Sequence, residues 1–215
     1  MTHPDRGSDL IIGARSRNPA GFILPVLLIV LAGCATRPIP PPLETSWVEH
    51  QARMQALQYW SAEGKLALRT DQGSESASFD WQQEDHQTRL QLQGPLGVNA
   101  TTLISDGRQL EFRRGEERRL WDISNPETIA RETGWYLPLE ALPHWLRGLP
   151  APQLDVDGLQ LQHQRLRTLS QGGWTIHYDD YGVFETFTLP TRLEMTRGDT
   201  RARIIVRTWQ PRSGS

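Results

Sequence analysis

The sequence predicts a mainly β (α+β) domain, a curved antiparallel sheet or unclosed barrel with an N-terminal helix and two short helices set against its apolar face. Three observations predict it. Beyond Gly64, apolar and polar residues alternate with a period of two, which gives strands with one dry and one wet face. The segments are divided by turn signals such as Asp71-Gln72-Gly73, Asp106-Gly107 and Arg114-Gly115, linkers too short for parallel crossovers. One helical interruption separates a first run of strands from a second, and helices placed there must cover the apolar face or fill its mouth.

The chain opens with an address. From Gly21 to Gly33 it is apolar and uncharged, with Arg15 and Arg17 upstream, the layout of a secretory signal peptide. Such a run spans roughly 20 Å as a helix, against roughly 30 Å of bilayer core, too short for a comfortable membrane anchor. The residues before it are long for a leader, which allows initiation downstream of Met1. The run ends in Leu31-Ala32-Gly33-Cys34, which resembles the bacterial lipobox and holds the only cysteine of the chain. Only a thiol is nucleophilic enough near neutral pH for the alkylation that a lipobox undergoes, and a lone cysteine forms no internal disulfide. The expectation is a signal peptide over residues 1–33 and a mature chain lipidated at Cys34; a plain signal peptide with an incidental thiol is the alternative. Two or three acyl chains, at about 0.8 kcal/mol per buried methylene, anchor far more firmly than one. Residue 35 is Ala, where an Asp would resemble the inner-membrane retention signal of many enterobacterial lipoproteins, and its absence favours the outer membrane.

After removal of residues 1–33 the chain is still long enough for one ordinary domain. The whole chain has formal charge −2 with 37% hydrophobic and 22% charged residues, a soluble globular composition that gives no reason to expect nucleic acid. Residues 34–45 carry Pro38, Pro40, Pro41 and Pro42 and read as a lipidated N-terminus followed by an extended tether, reaching roughly 35 Å at about 3.1 Å per residue. Residues 46–215 read as a single domain.

That domain starts with a capping box, Ser46 and Glu49, and a helix from about Trp47 to Gln58. Strands follow around Leu66 and Leu68, Ala77 to Trp81, Leu90 and Leu92, Ala100 to Ser105, Gln109 to Arg113 and Arg118 to Ile123. Asn125 and Pro126 start a helix to about Glu132, and Leu139, Leu142 and Leu146 predict another over Leu139 to Arg147, stopped by Gly148. The period of two returns over Leu159 to Leu169, Trp174 to Tyr178, Arg192 to Thr196 and Arg203 to Trp209.

Several of these features taken together resemble the outer-membrane lipoprotein receptor family LolB. They are Trp47 with His50, Gly64 opening a strand, Trp81-Gln82-Gln83, Gly94-Pro95-Leu96-Gly97, Pro138-Leu139, Trp145-Leu146-Arg147-Gly148-Leu149-Pro150, and Pro190-Thr191-Arg192 with Trp209. No one motif is specific; their order and spacing behind a lipobox carry the resemblance, from Trp47 to Trp209. The resemblance implies an unclosed barrel shared with the periplasmic carrier LolA, plugged by helices around an apolar cavity for the acyl chains of lipoproteins. It also implies a protruding loop, Pro95, Leu96 and Gly97, whose leucine acts in membrane insertion. The function expected is a lipid-anchored, periplasm-facing receptor that accepts acylated lipoproteins from a LolA-like carrier and inserts them into the inner leaflet of the outer membrane, acting as a monomer. A structural or assembly lipoprotein binding a protein partner is the alternative.

Inward-facing positions supply the candidates to line such a cavity: Phe79, Trp81, Leu90, Leu92, Trp121, Leu142, Trp145, Leu146, Trp174 and Ile176. A dry core is the competing reading for the strand tryptophans. A half-covered sheet favours the cavity, because an exposed apolar face is unstable in water without a ligand or partner. Taken without the family, Gly94-Pro95-Leu96-Gly97 is a turn with one large apolar side chain at its tip, either folded into the core or exposed. Val183-Phe184-Glu185-Thr186-Phe187 reads as a loop offering a second apolar contact near the mouth. No metal-ligand spacing, nucleophile elbow or phosphate loop is present, and Asp155-Val156-Asp157-Gly158 lacks the rest of a calcium loop, so no catalytic residue, metal or cofactor is expected. Without nucleotide energy, transfer must run downhill in affinity, at about 1.4 kcal/mol per tenfold step.

Overall fold

The computed structural model describes residues 46–71, 73–97, 100–123 and 139–212. Cys34, the tether and the helix expected from Pro126 to Glu132 lie outside the described residues.

Helix α1 runs over Trp47–Ala56 and starts where Ser46 Oγ accepts the Glu49 N–H at 3.2 Å, filling one of the orphan donors of the first turn. The chain then forms β1 (Tyr59–Thr70), β2 (Gly73–Glu84), β3 (Gln87–Gln93), a 3₁₀ turn at Pro95–Gly97, β4 (Thr101–Ser105), β5 (Gln109–Arg114) and β6 (Glu117–Asp122). After α2 (Leu142–Leu146) come β7 (Val156–Gln162), β8 (Arg165–Gln171), β9 (Trp174–Phe184), β10 (Phe187–Arg197) and β11 (Thr200–Arg212). The strands form one 11-stranded sheet in the order β6-β5-β4-β3-β2-β1-β11-β10-β9-β8-β7, with antiparallel neighbours throughout. Each half is a meander, β1 and β11 join the halves, and among the described residues the edges β6 and β7 do not pair. The sheet is therefore unclosed, and the connection carrying α2 leads from one edge to the other.

One face of the sheet is apolar. Trp60 and Ala62 of β1, Phe79 and Trp81 of β2, Leu90 and Leu92 of β3, Leu193 and Met195 of β10 and Ile204 and Val206 of β11 are buried with Met54 of α1 and Leu142, Trp145 and Leu146 of α2. Helix α2 is shorter than the sequence suggests. Residues 139–141 form turns and Pro143 falls in the first helical turn, where its missing N–H costs no hydrogen bond. Its end is the expected one: Gly148 takes φ 74°, Gly148 N–H bonds Trp145 O and Leu149 N–H bonds His144 O, both at 3.0 Å, a Schellman motif.

Three features differ from the sequence reading. Gly64 lies inside β1 rather than opening it, at a register shift between Glu63 and Gly64; a Cβ there would collide with the Ile205 carbonyl and lie 2.8 Å from the Phe79 ring. The stretch Leu159 to Leu169 is two strands joined by a tight turn in which His163 (φ 51°) and Gln164 (φ 61°) are both left-handed. A turn of this kind usually advertises itself with Asn-Gly, and His-Gln gives no such signal. Finally, Val183–Phe187 is hairpin rather than loop: Phe184 and Phe187 face each other across the β9–β10 turn and pack on the core.

Candidate functional site

Beneath α2 the inward faces of β1, β2, β3, β4, β10 and β11 do not meet fully. They leave a cavity of about 40 Å³ lined only by apolar side chains: Leu66, Phe79, Trp81, Leu90, Leu92, Leu103, Met195 and Ile204 from the strands, and Leu139, Leu142 and Leu146 from the α2 segment. The alternation of β2 and β3 puts Phe79 opposite Leu92 and Trp81 opposite Leu90, so four lining residues form two adjacent cross-strand pairs. Six of the ten sequence candidates, Phe79, Trp81, Leu90, Leu92, Leu142 and Leu146, therefore surround one space.

The other four do not line it. Trp145, Trp174 and Ile176 are fully buried on the far side of α2, where the rings of Trp145 and Trp174 lie 6.3 Å apart. Trp121 is on edge strand β6 and packs 5.7 Å from Phe112. Trp174 and Ile176 alternate inward on β9 as cavity residues would, and what separates them is their place on the sheet against Trp145 rather than under Leu142 and Leu146. Gln171 secures this dry side. Its Oε1 accepts from Trp145 Nε1 (2.8 Å) and Ala151 N (2.9 Å), and its Nε2 donates to Ala151 O and Leu154 O (2.8 Å each). These four hydrogen bonds offset the desolvation of the buried amide, and they fix the crossover chain to β8.

The cavity continues into a wider pocket of about 450 Å³, which shares Trp81, Leu90, Leu103 and Leu139 with it and has a polar rim including Gln55, Gln58, Asp85, His86, Glu140, His144 and Gln153. Gln83 in its wall accepts from Trp81 Nε1 (3.0 Å) and Thr88 Oγ1 (2.8 Å) and donates to Asp85 O (2.8 Å), which holds the Trp81 ring in place. Arg147 is the residue that sequence patterning alone does not single out. Its buried guanidinium donates to Pro143 O (3.0 Å) in α2 and to Met54 O (3.0 Å) and Leu57 O (2.6 Å) at the C-terminal end of α1. Met54 O also accepts the Leu57 N–H at 3.3 Å and Leu57 O lies just past the helix end, so one side chain both caps α1 and ties it to α2. Helix α1 ends at Ala56, short of the expected Gln58, with Leu57 leaving helical geometry at φ −80° and ψ 83°.

Burial, reinforced by the neighbouring Arg147 charge, pushes the His144 pKa from 6.5 down to about 4. The neutral ring therefore persists in the fold at pH values where an unfolded chain would take up a proton. Its contribution is fully present above pH about 6.5 and is lost as pH falls through about 4. Across that window protonation of His144 is expected to remove stability, by about 1 to 2 kcal/mol once solvent screening of the partly exposed ring is allowed for. His144→Gln should abolish this part of the pH dependence, which urea unfolding of both proteins at several pH values checks.

The turn at Pro95–Gly97 carries the other candidate. Gly97 N–H bonds Gly94 O at 3.1 Å, Leu96 adopts φ 60° and ψ 21°, and Gly97 follows at φ 76°. Leu96 is fully exposed, so of the two readings open to the sequence the structure selects the exposed one. A left-handed leucine that buries nothing costs energy with no return in the fold, the kind of strain found where a side chain is held out for another purpose.

The family model for LolB, outer membrane lipoprotein LolB, matches residues 58–209. An outer-membrane lipoprotein LolB of Chromohalobacter salexigens is 38% identical over 193 residues, covering 86% of this chain and 87% of its own. That of Cellvibrio japonicus is 36% identical over 186 residues, covering 84% and 91%. Among solved structures, a LolA superfamily protein from Nitrosomonas europaea superposes with a TM-score of 0.53 over 80% of this chain and 96% of its own; at 7% identity it shows the shared fold alone. With the family match covering most of the sheet and relatives this similar along most of their length, the chain belongs to the LolB family of outer-membrane lipoproteins.

Proposed function

We propose that this protein is a receptor anchored through Cys34 to the outer membrane, which takes acylated lipoproteins from a LolA-like periplasmic carrier and passes them to the inner leaflet. The observation that carries the reading is the wholly apolar cavity under α2 in an unclosed sheet, in a chain of this family. A cavity of about 40 Å³ is little larger than the roughly 30 Å³ share of one water molecule. An acyl chain of more than a dozen methylenes needs the lining to part, and α2, which supplies Leu142 and Leu146 to that lining, is the element that would move. The wider, polar-rimmed pocket is the approach. No reacting group is required: acyl chains pass from the carrier to the cavity and from the cavity to the bilayer, staying out of water, and each step runs downhill in affinity.

Residues 1–33 then act as a lipoprotein signal peptide, 34–45 as lipidated tether and 46–215 as the binding domain. Cys34→Ala is expected to leave the protein unprocessed or soluble, which mass spectrometry of the envelope fraction checks; a normal mature protein lacking acyl groups at Cys34 contradicts the anchor. Depletion in a Gram-negative host tests the function itself. Outer-membrane lipoproteins should accumulate in complex with the periplasmic carrier, and their undisturbed delivery contradicts the reading.

A further inference from the structure

We infer that the outward face of β1, β2 and β11 beside the Leu96 turn is a binding surface for the phosphates of anionic phospholipids. The inference rests on the reading that this turn meets the bilayer. A groove of about 470 Å³ runs along the turn, lined by Gly94, Pro95, Leu96 and Gly97 on one side and by Lys65, Ser76, Ser78, Arg203 and Ile205 on the sheet. The strand registers explain the company. Lys65 stands between Ser78 and Ile205, Ala67 between Ser76 and Arg203, and Arg69 between Ser74 and Arg201, all on the exposed face. The floor is thus made of small side chains, with long cations on two strands around it.

The charges on this face do not cancel. Arg203 and Arg201 share one carboxylate, Glu194, at 2.8 and 3.5 Å, while Lys65 and Arg69 make no ion pair among the described residues. Arg192 is matched by Asp180 at 3.2 Å; Glu63 and Asp80, one register row beyond Lys65, and Asp71 and Asp199, in the turns beyond Arg69 and before Arg201, form no ion pair with Lys65, Arg69, Arg201 or Arg203 among the described residues. Among the described residues only one carboxylate is paired with these four cations, so Lys65 and Arg69 stand without an ion-pair partner beside the groove in a chain whose overall charge is −2. Lys65 is moreover the only lysine in the sequence. Two exposed apolar side chains, Leu96 and Ile205, border the same groove. Apolar tips that can enter hydrocarbon, next to uncompensated cations at headgroup depth, complement an anionic bilayer surface. A soluble acidic protein would match the charge and leave Leu96 unused.

The sole lysine makes the test direct. The mature lipidated protein is reconstituted into vesicles of phosphatidylcholine alone or of phosphatidylcholine mixed with phosphatidylglycerol, and acylation of Lys65 by a membrane-impermeant succinimidyl ester is followed by peptide mass spectrometry. At low salt Lys65 should react about fivefold more slowly on the anionic vesicles, the factor expected for one basic residue at such a surface. Protection should vanish near 1 M salt, where the screening length is about 3 Å. Arg69→Gln with Arg203→Gln, exposed substitutions that keep Lys65 as probe, should lower the protection below about twofold. Equal reactivity on the two vesicle types overturns the inference. So does equal protection by inorganic phosphate without anionic lipid, or by the carrier protein without lipid, either of which assigns the groove to another occupant. Cargo insertion by Leu96→Glu, measured alongside, separates the two claims: blocked insertion with unprotected Lys65 sinks only this surface, and normal insertion with protected Lys65 sinks only the role of the loop.

Discussion

Leu96→Glu is expected to unfold at the temperature of the parent protein, to accept an acylated lipoprotein from the carrier as well as the parent does, and to fail at inserting it into liposomes. Stability should be untouched because Leu96 is fully exposed and makes no core contact, and because glutamate and leucine carry the same left-handed strain at φ 60°. Uptake should be untouched because Leu96 does not line the apolar cavity. Insertion should fail because a carboxylate at the tip must be desolvated or protonated to enter hydrocarbon, at a cost of several kcal/mol, where leucine gains about 1.5 to 3 kcal/mol. Leu96→Gly separates strain from chemistry: it should raise stability slightly by relieving the backbone, and still insert poorly. Thermal melts, carrier-to-receptor transfer and liposome insertion on the same preparations decide the matter. An insertion defect no larger than the uptake defect contradicts the delivery role.

Arg147→Met should be the most damaging single change outside the apolar core. It removes a donor from three backbone carbonyls, Pro143, Met54 and Leu57, of which Met54 O still accepts the Leu57 N–H. Orphaned acceptors cost about 1 to 3 kcal/mol each. Against this stands the desolvation of the guanidinium, which burial pushes down to a pKa of about 10 and which methionine does not incur. The net loss expected is about 3 kcal/mol, or roughly 6–12 °C in Tm for a domain of this size. Urea unfolding checks it. Arg147→Lys should fall between the two, since an ammonium keeps the charge and cannot span α1 and α2 with a planar fork.

The alternating segments were legible because a period of two needs only neighbouring residues to reveal it, and the short linkers then dictated antiparallel order. Gly148 was legible as a helix stop for the same local reason. What the chain concealed depends on contacts distant in sequence. Gly64 reads as a strand opener until the Phe79 ring and the Ile205 carbonyl are brought against it. Gln171 and Arg147 look like ordinary polar residues, and only the packed crossover shows that one saturates Ala151 and Leu154 and the other caps a helix more than ninety positions away. Alternation placed Trp174 and Ile176 on the same face as Phe79 and Leu92, yet it could not tell the part of that face pressed by α2 from the part left hollow. Leu96 was ambiguous in principle, because the same turn chemistry serves a leucine folded inward and one held out.

The claim at the centre of this account is that acyl chains occupy the space under α2. Replacing Phe79, which lines that space, with photoreactive benzoylphenylalanine and irradiating during transfer from a loaded carrier tests it most directly, with Phe112, which does not line it, replaced in the same way as control. The account predicts a crosslink between position 79 and the acyl chains of the cargo, and none from position 112. Crosslinking confined to the polypeptide of the cargo, or equally strong at both positions, would contradict it.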